Sequence, residues 1–268
     1  METKLELTEN LEKFRENIES TIKPFIKITA QKNNNIPLWQ SKFGGLPYFP
    51  KGLDYPKDSK GQPMYLLAQI NFAESPRLKG FPGKGILQFY ICVSSDVYGL
   101  CFDDQCKQDD FRVRYFPDVL EDESQMVTDF GFLPKTEYLP FDFQSSLEFN
   151  LCYEPISNCD YEFETRILNL EHKTGSNLYD DYHEVYEEYG EKFYSIGHKI
   201  GGYPYFTQYD PRGSQKHQDE QIILLFQMDT DDDAGIMWGD AGVANFFITE
   251  KDLKNLDFSN VLYNWDCC

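Results

Sequence analysis

Hydrophobic positions recur with helical spacing in two parts of the chain. Between residues 9 and 22, apolar side chains follow one another every three or four residues, which predicts an amphipathic helix that ends before Pro24. The same spacing predicts a second helix over residues 178–193. Thr249 suits an N-cap and predicts a short third helix directly after it.

Most of the remaining chain has the patterns of β-strands. Apolar and polar residues alternate over residues 145–153, which predicts a strand with one buried face. Runs of β-branched and aromatic residues predict further strands at residues 25–30, 64–71, 85–93, 98–102, 111–116 and 258–265. Many strands with few helices indicate an α+β fold, in which peripheral helices pack on the edges or faces of a mostly antiparallel sheet.

Three blocks of sequence occur twice, in the same order and at nearly the same offset. The block KFGGLPYF at residues 42–49 returns 157 residues later as KIGGYPYF at residues 199–206. The other two pairs are residues 66–71 with 224–229 and residues 85–91 with 242–248, at offsets of 158 and 157 residues. Such agreement between three blocks indicates an internal duplication.

The duplication predicts a single domain, residues 1–268, made of two half-domains. The two repeats are expected at about residues 9–118 and 176–268, joined by a connecting segment at residues 119–175. The period is much longer than that of a solenoid unit. The two halves are therefore expected to share one core, to be related by an approximate two-fold axis and to face each other across a cleft.

The repeated blocks resemble a known family. The Lys-x-Gly-Gly-x-Pro-Tyr-Phe motif, the Leu-Leu-x-Gln block and the MWGDAG segment at residues 237–242 are similar to the YwqG-like family, a family of bacterial domains of unknown function. The likeness covers residues 10–268. It implies a cytoplasmic α+β protein with a duplicated core and assigns no catalytic residue. Relatives of this kind occur in bacterial toxin–immunity neighbourhoods, which implies protein binding.

The charge of the chain restricts its partners. With 25 Lys and Arg against 45 Asp and Glu, the net charge is −20. Nucleic acids and anionic membranes require clustered basic residues, so neither is expected as a partner, whereas a basic protein or a small molecule is compatible with the charge. Seven cysteines without a CxxC pair, and no secretory leader, indicate reduced thiols in the cytoplasm.

The repeated blocks also supply the candidate binding residues. Paired glycines permit positive φ or the close approach of a ligand. The structural alternative to a ligand-binding loop is a tight turn that leads into a strand. A lysine beside such a turn holds an anion or pairs with a carboxylate. Gln69 and Gln227 lie inside apolar strands, where each is expected to tie the strand to the turn. The hypothetical ligand-binding residues are Lys42, Gly44, Gly45, Lys199, Gly201, Gly202, Trp238 and Asp240.

An acidic run follows the second Leu-Leu-x-Gln block. Asp229, Asp231 and Asp233 match positions 1, 3 and 5 of a calcium-binding loop, and Asp240 falls at position 12. Ala234 stands where that loop needs glycine, and strands rather than helices flank it. The alternative is an acidic turn whose side chains accept hydrogen bonds from backbone amides. Calcium is the one cofactor that the sequence suggests.

Three functions are compatible with these features. The favoured one is a non-enzymatic binding or protein-interaction module, with a cleft between the repeats rimmed by Lys42, Lys199, Trp238 and Asp240. The second is a metal-dependent hydrolase that uses the acidic loop at residues 229–240, and the third is an immunity-type protein that binds a basic toxin. No phosphate-binding loop, nucleophile elbow or HExxH motif occurs, and for this reason the sequence favours binding over catalysis.

Overall fold

Antiparallel β-strands form the centre of the molecule. The computed structural model describes residues 5–136, 138–170, 178–213 and 222–268. The strands are β1 (Lys23–Lys32), β2 (Lys42–Phe43), β3 (Tyr65–Asn71), β4 (Ile86–Ile91), β5 (Phe111–Phe116), β6 (Ser145–Glu154), β7 (His198–Gly201), β8 (Ile222–Asp229), β9 (Val243–Thr249) and β10 (Leu262–Asp266). The helices are α1 (Glu9–Glu12), α2 (Arg15–Ser20), α3 (Phe163–Leu168), α4 (Leu178–Lys192) and α5 (Glu250–Asn255).

All ten described strands join one sheet, in the order β10-β9-β8-β7-β1-β6-β2-β3-β4-β5. The longest pairing lies at the centre, where β1 and β6 run antiparallel from the pair Lys23–Glu154 to the pair Lys32–Ser145. On its other side β1 pairs with β7, and β6 pairs with β2. Four strands therefore lie on each side of the central pair.

The two halves of the sheet face each other, and the main core lies between them. The ring of Phe89 on β4 lies 4.8 Å from that of Phe226 on β8 and 4.7 Å from that of Phe246 on β9. Phe111 on β5 lies 5.1 Å from Tyr263 on β10. These strands are distant in the sheet order, so the sheet must curl over its central pair to bring the rings together. Tilted aromatic pairs of this kind add to the apolar burial of the core.

The helices stand outside this sheet and form a second hydrophobic cluster. Leu11 and Ile18 of the first two helices pack with Phe163 and Ile167 of α3 and with Tyr189 of α4. The helix expected over residues 9–22 is interrupted at Phe14, which has φ −109° and ψ 10°. Thr249 caps α5 as expected, since its Oγ1 accepts from the amide of Asp252 at 3.0 Å.

The mostly antiparallel sheet and the peripheral helices confirm an α+β fold. The prediction of a strand at residues 98–102 is wrong, because Tyr98 has φ 49° and Gly99 has φ 84°, which turn the chain. The short strands β2 and β7 carry no alternating pattern and were not expected. The expected boundary at residue 176 lies outside the described residues. No helix in the described chain combines the length and the apolar character needed to cross a membrane.

Candidate functional site

Both Gly-Gly turns have the same left-handed backbone. Gly44 and Gly45 have φ 63° and 70°, and Gly201 and Gly202 have φ 68° and 73°. A Cβ on Gly45 would overlap the side chain of Gln144. Both the positive φ and the lack of space therefore require glycine, and the tight turn expected from the sequence is present at both places.

The lysines before these turns are buried and close them from inside. Lys42 is 1% exposed, and its Nζ donates to the carbonyl oxygens of Pro37 at 2.7 Å and Leu46 at 3.1 Å. Lys199 is also 1% exposed, and its Nζ donates to Glu154 at 2.8 Å and to the carbonyl of Tyr203 at 3.2 Å. Both ammonium groups are therefore bonded within the protein. Of the two roles considered for these lysines, carboxylate pairing is the one that Lys199 has.

Gln69 and Gln227 fasten the turns to the sheet, which confirms the clamp predicted for them. The Gln69 Oε1 accepts from the amide of Tyr48 at 2.7 Å, while its Nε2 donates to the carbonyls of Leu38 at 2.8 Å and Gln40 at 2.7 Å. The partners of Gln227 are the amide of Tyr205 at 2.8 Å and the carbonyls of Ser195 at 3.0 Å and Gly197 at 2.8 Å. Each amide thus satisfies three backbone groups that would otherwise be unpaired.

We expect Lys42 to make stability depend on pH. Burial lowers the pKa of Lys42 from 10.5 to about 8, so the unfolded chain binds more protons than the folded one between these values. The unfolding free energy contributed by this group should therefore rise with pH across that window. Urea titrations of the wild type and of Lys42→Met at about pH 7 and about pH 9.5 should show a stability difference that shifts in favour of the wild type at the higher pH. A difference that stays constant would contradict the lowered pKa.

The structure does not bring Trp238 and Asp240 together as the wall of a pocket. Trp238 is fully buried, and its ring meets Tyr98 edge to face at 5.2 Å. It also lies 6.1 Å from Trp265. Asp240 is exposed at the surface of the loop. The tryptophan therefore belongs to the core and the aspartate to the solvent-facing turn.

The acidic run forms the turn between β8 and β9. Asp229 accepts from the amide of Gly197 at 2.6 Å, and Asp231 accepts from the amide of Ala234 at 2.9 Å. Asp231 also bonds to the Nε2 of His198 at 3.2 Å, which lowers the pKa of this carboxyl group. Asp233 and Asp240 are exposed, and no three ligand atoms of this described run converge within 4.8 Å. The acidic turn with capped amides is thus present.

An open groove lies beside the second Gly-Gly turn. It has a volume of about 530 Å³ and separates residues 78–81 from β7, β8 and α5. Its lining includes Lys23, Lys79, Phe81, Gly201, Gly202 and Lys254. Gly201 and Gly202 are thus the two of the eight predicted binding residues that line it, while Lys42, Lys199 and Trp238 are buried outside its lining.

The groove lysines come from three separate elements. Lys23 begins β1, Lys79 lies in the loop after β3, and Lys254 lies on α5. Burial lowers the pKa of Lys23 to about 8, and its Nζ lies 3.5 Å from the ring centroid of Tyr203. Sequence reasoning missed all three lysines, because no local pattern links positions so far apart in the chain.

The curled antiparallel sheet and the peripheral helices make this an α+β protein, with two glycine turns of the same backbone shape. The chain belongs to the family described as "Domain of unknown function (DUF1963)", which matches residues 41–267. This agrees with the expectation of a family without an established function, while the likeness to the YwqG-like family stays a prediction. No curated protein matches the chain.

Proposed function

We propose that this chain is a cytoplasmic binding protein whose groove takes a small ligand with an apolar body and an anionic group. The observation that carries the proposal is the meeting of Lys23, Lys79 and Lys254 around one apolar groove in a chain of net charge −20. Within the described residues, no ion pair involves any of these three lysines, although Glu250 lies at the groove as well. Lys79 and Lys254 are exposed and can offer their charge to a ligand, while the Lys23 ammonium lies over the ring of Tyr203.

The chemistry of the lining supports binding rather than catalysis. Pro24, Phe81 and Ile223 supply apolar surface, and the three lysines supply positive charge around it. Among the described lining residues, Glu250 is the one carboxylate, and it is exposed on α5. A pocket of apolar walls with a few convergent polar groups is typical of small-molecule sites. The seven free thiols are consistent with a reducing compartment.

We infer further that the groove lies between two duplicated half-domains with approximate two-fold symmetry. In support, Lys42 and Lys199 each donate to the carbonyl four residues later, and Gln69 and Gln227 each accept from a tyrosine amide. The neighbour of β2 is β6, just as the neighbour of β7 is β1. On this basis the second copy begins at β6. The first strand of each copy then pairs with a strand of the other copy, β1 with β7 and β6 with β2. The axis would pass through the central pairing of β1 with β6.

The binding proposal can be tested with 8-anilinonaphthalene-1-sulfonate, a fluorescent probe that has an aromatic body and one sulfonate. The double variant Lys79→Ala/Lys254→Ala should bind it about tenfold more weakly than the wild type, because each exposed charge contributes roughly 0.2–1 kcal/mol. Higher ionic strength should weaken wild-type binding more than variant binding.

The matched control is Lys13→Ala/Lys27→Ala, which removes the same charge from exposed positions that do not line the groove. This control should bind the probe as the wild type does. Equal affinity of the groove variant and the wild type, with both folded by circular dichroism, would reject the groove as the binding site. Equal weakening of both double variants would indicate a general charge effect instead.

A further inference from the structure

Three potential metal ligands meet at one end of β4 and β5, among residues that the binding groove does not use. Cys92 directly follows β4, Asp110 directly precedes β5, and Asp58 lies in the turn before β3. The Cys92 sulfur and one carboxylate oxygen of each aspartate lie within 4.8 Å of one another. In the described parts of the chain, this is the one group of three or more His, Cys, Asp or Glu residues that meets this distance.

Backbone hydrogen bonds hold the three residues in place. The Asp58 Oδ1 accepts from two amides of its own turn, at 2.8 and 2.9 Å. The Asp110 Oδ1 accepts from the amide of Ser59 at 2.9 Å, and the Asp110 carbonyl accepts from the amide of Cys92 at 2.8 Å. The two side chains are thus fixed through Oδ1. Within the described chain, the hydrogen bonds found for both carboxylates fall on this oxygen, and each Oδ2 remains for another partner.

The charge at this place is uncompensated within the described residues. Asp58 is 8% exposed and Cys92 is 4% exposed, while Asp110 is half-buried, so two of the three residues are largely removed from water. Two carboxylates that approach each other in such surroundings repel and lose solvation. No Lys, Arg or His of the described chain forms an ion pair with Asp58 or Asp110. A bound cation would offset both the repulsion and the lost solvation at this place.

We propose that Asp58, Cys92 and Asp110 bind a divalent cation, with zinc as the best chemical fit. A thiolate selects for a borderline-soft metal, and carboxylate oxygens complete the coordination of zinc in many sites. Cys92 releases its thiol proton to solvent when the metal binds. Three protein ligands leave one position of a tetrahedron for water or for an external ligand. The Ser94 Oγ lies 3.4 Å from the Cys92 Sγ, the sulfur atom proposed as a metal ligand.

Cobalt(II) is the probe of choice, because a thiolate bound to it gives a charge-transfer absorption band in the near ultraviolet. The reduced full-length protein, stripped of metal with a chelator, should develop this band up to one cobalt per chain. Zinc should then abolish the band by displacement, since the Irving–Williams order and thiolate ligation allow zinc to compete. Absence of a saturable band in the folded wild type overturns the proposal.

Isosteric variants separate metal binding from the structural role of the aspartates. Asp58→Asn and Asp110→Asn keep an oxygen that accepts from the same backbone amides but lose the anionic charge. Each should keep the fold and lower the apparent cobalt affinity by about tenfold or more. An unchanged affinity in both variants would mean that the aspartates serve their turns alone, which overturns the site.

Cysteine variants locate the sulfur ligand. Cys92→Ser should lose the band, whereas Cys101→Ser, which removes a half-buried thiol of the following loop, should keep it. If Cys92→Ser does not fold, the melting temperature replaces the band as readout, because zinc should raise it in the wild type but much less in Asp110→Asn. A band that persists in folded Cys92→Ser belongs to other thiols and rejects the site. The groove lysine variants should leave cobalt binding unchanged, so the two proposals fail independently.

Discussion

Replacing Gly202 by alanine is expected to lower the free energy of unfolding by about 4 kcal/mol or more. The residue has φ 73°, a left-handed backbone that a Cβ makes unfavourable. The added Cβ would also lie 2.8 Å from the Phe25 Cβ and would overlap the Oε1 of Glu154. Phe25 belongs to the central strand β1 and cannot move freely. The carboxylate of Glu154, which binds both Lys199 and the amide of Tyr203, would have to be displaced.

Gly197→Ala is the matched control, because it carries the same backbone strain without the overlap. Gly197 has φ 86°, and a Cβ built on it has no atom within 4 Å. Its replacement should therefore cost about 1–2 kcal/mol, the strain of a left-handed residue alone. Urea unfolding of both variants and the wild type measures the difference. Equal losses for the two variants would show that the overlap of the added Cβ with Glu154 and Phe25 does not lower the free energy of unfolding.

The variant Lys199→Met is expected to lose about 3–5 kcal/mol, because it leaves Glu154 buried without its cation. The Lys199 Nζ lies 2.8 Å from the Glu154 Oε2, and the two side chains are 1% and 10% exposed. Burial lowers the pKa of Lys199, while the charge of Glu154 opposes that shift. Removal of one partner alone adds the full penalty of an unpaired buried carboxylate.

The double variant Lys199→Met/Glu154→Gln should recover most of this loss. Its glutamine Oε1 can still accept from the amide of Tyr203, as Glu154 does at 2.7 Å, and no unpaired charge remains. Lys42→Met is the control without a carboxylate partner and should cost about 1–3 kcal/mol, the price of two unsatisfied carbonyls. A Lys199→Met loss no greater than that of Lys42→Met would contradict a charge effect, as would a double variant no more stable than the single one.

The charged residues of the proposed groove and the ligands of the proposed metal site lie outside the repeated sequence blocks, although Gly201 and Gly202 of the second block also line the groove. The repeated lysines, glutamines and glycines chiefly build and fasten two turns, and the acidic run caps its own backbone. Residues with few sequence signals, such as Lys23 and Cys92, occupy the positions that are suited to a ligand. The repeated residues of this chain therefore serve mainly to build the fold.

The sequence by itself determined the features that depend on near neighbours. Alternation and β-branched residues predicted β5 at residues 111–116 with its observed bounds, and Thr249 predicted the start of α5. The apolar setting of Gln69 predicted a residue that must satisfy backbone groups. These features could be predicted because strand period, helix caps and hydrogen-bond demand act over a few residues.

Only the tertiary structure decided which strands become neighbours and which side chains meet. The pairing of β1 with both β6 and β7 joins segments more than a hundred residues apart, and strand patterns do not state their partners. The left-handed turn at Tyr98 replaced an expected strand, since its ring packs against Trp238 and Trp265. The groove lysines and the Asp58–Cys92–Asp110 cluster arise in the same way, because a contact across the curled sheet leaves no periodic trace in the sequence.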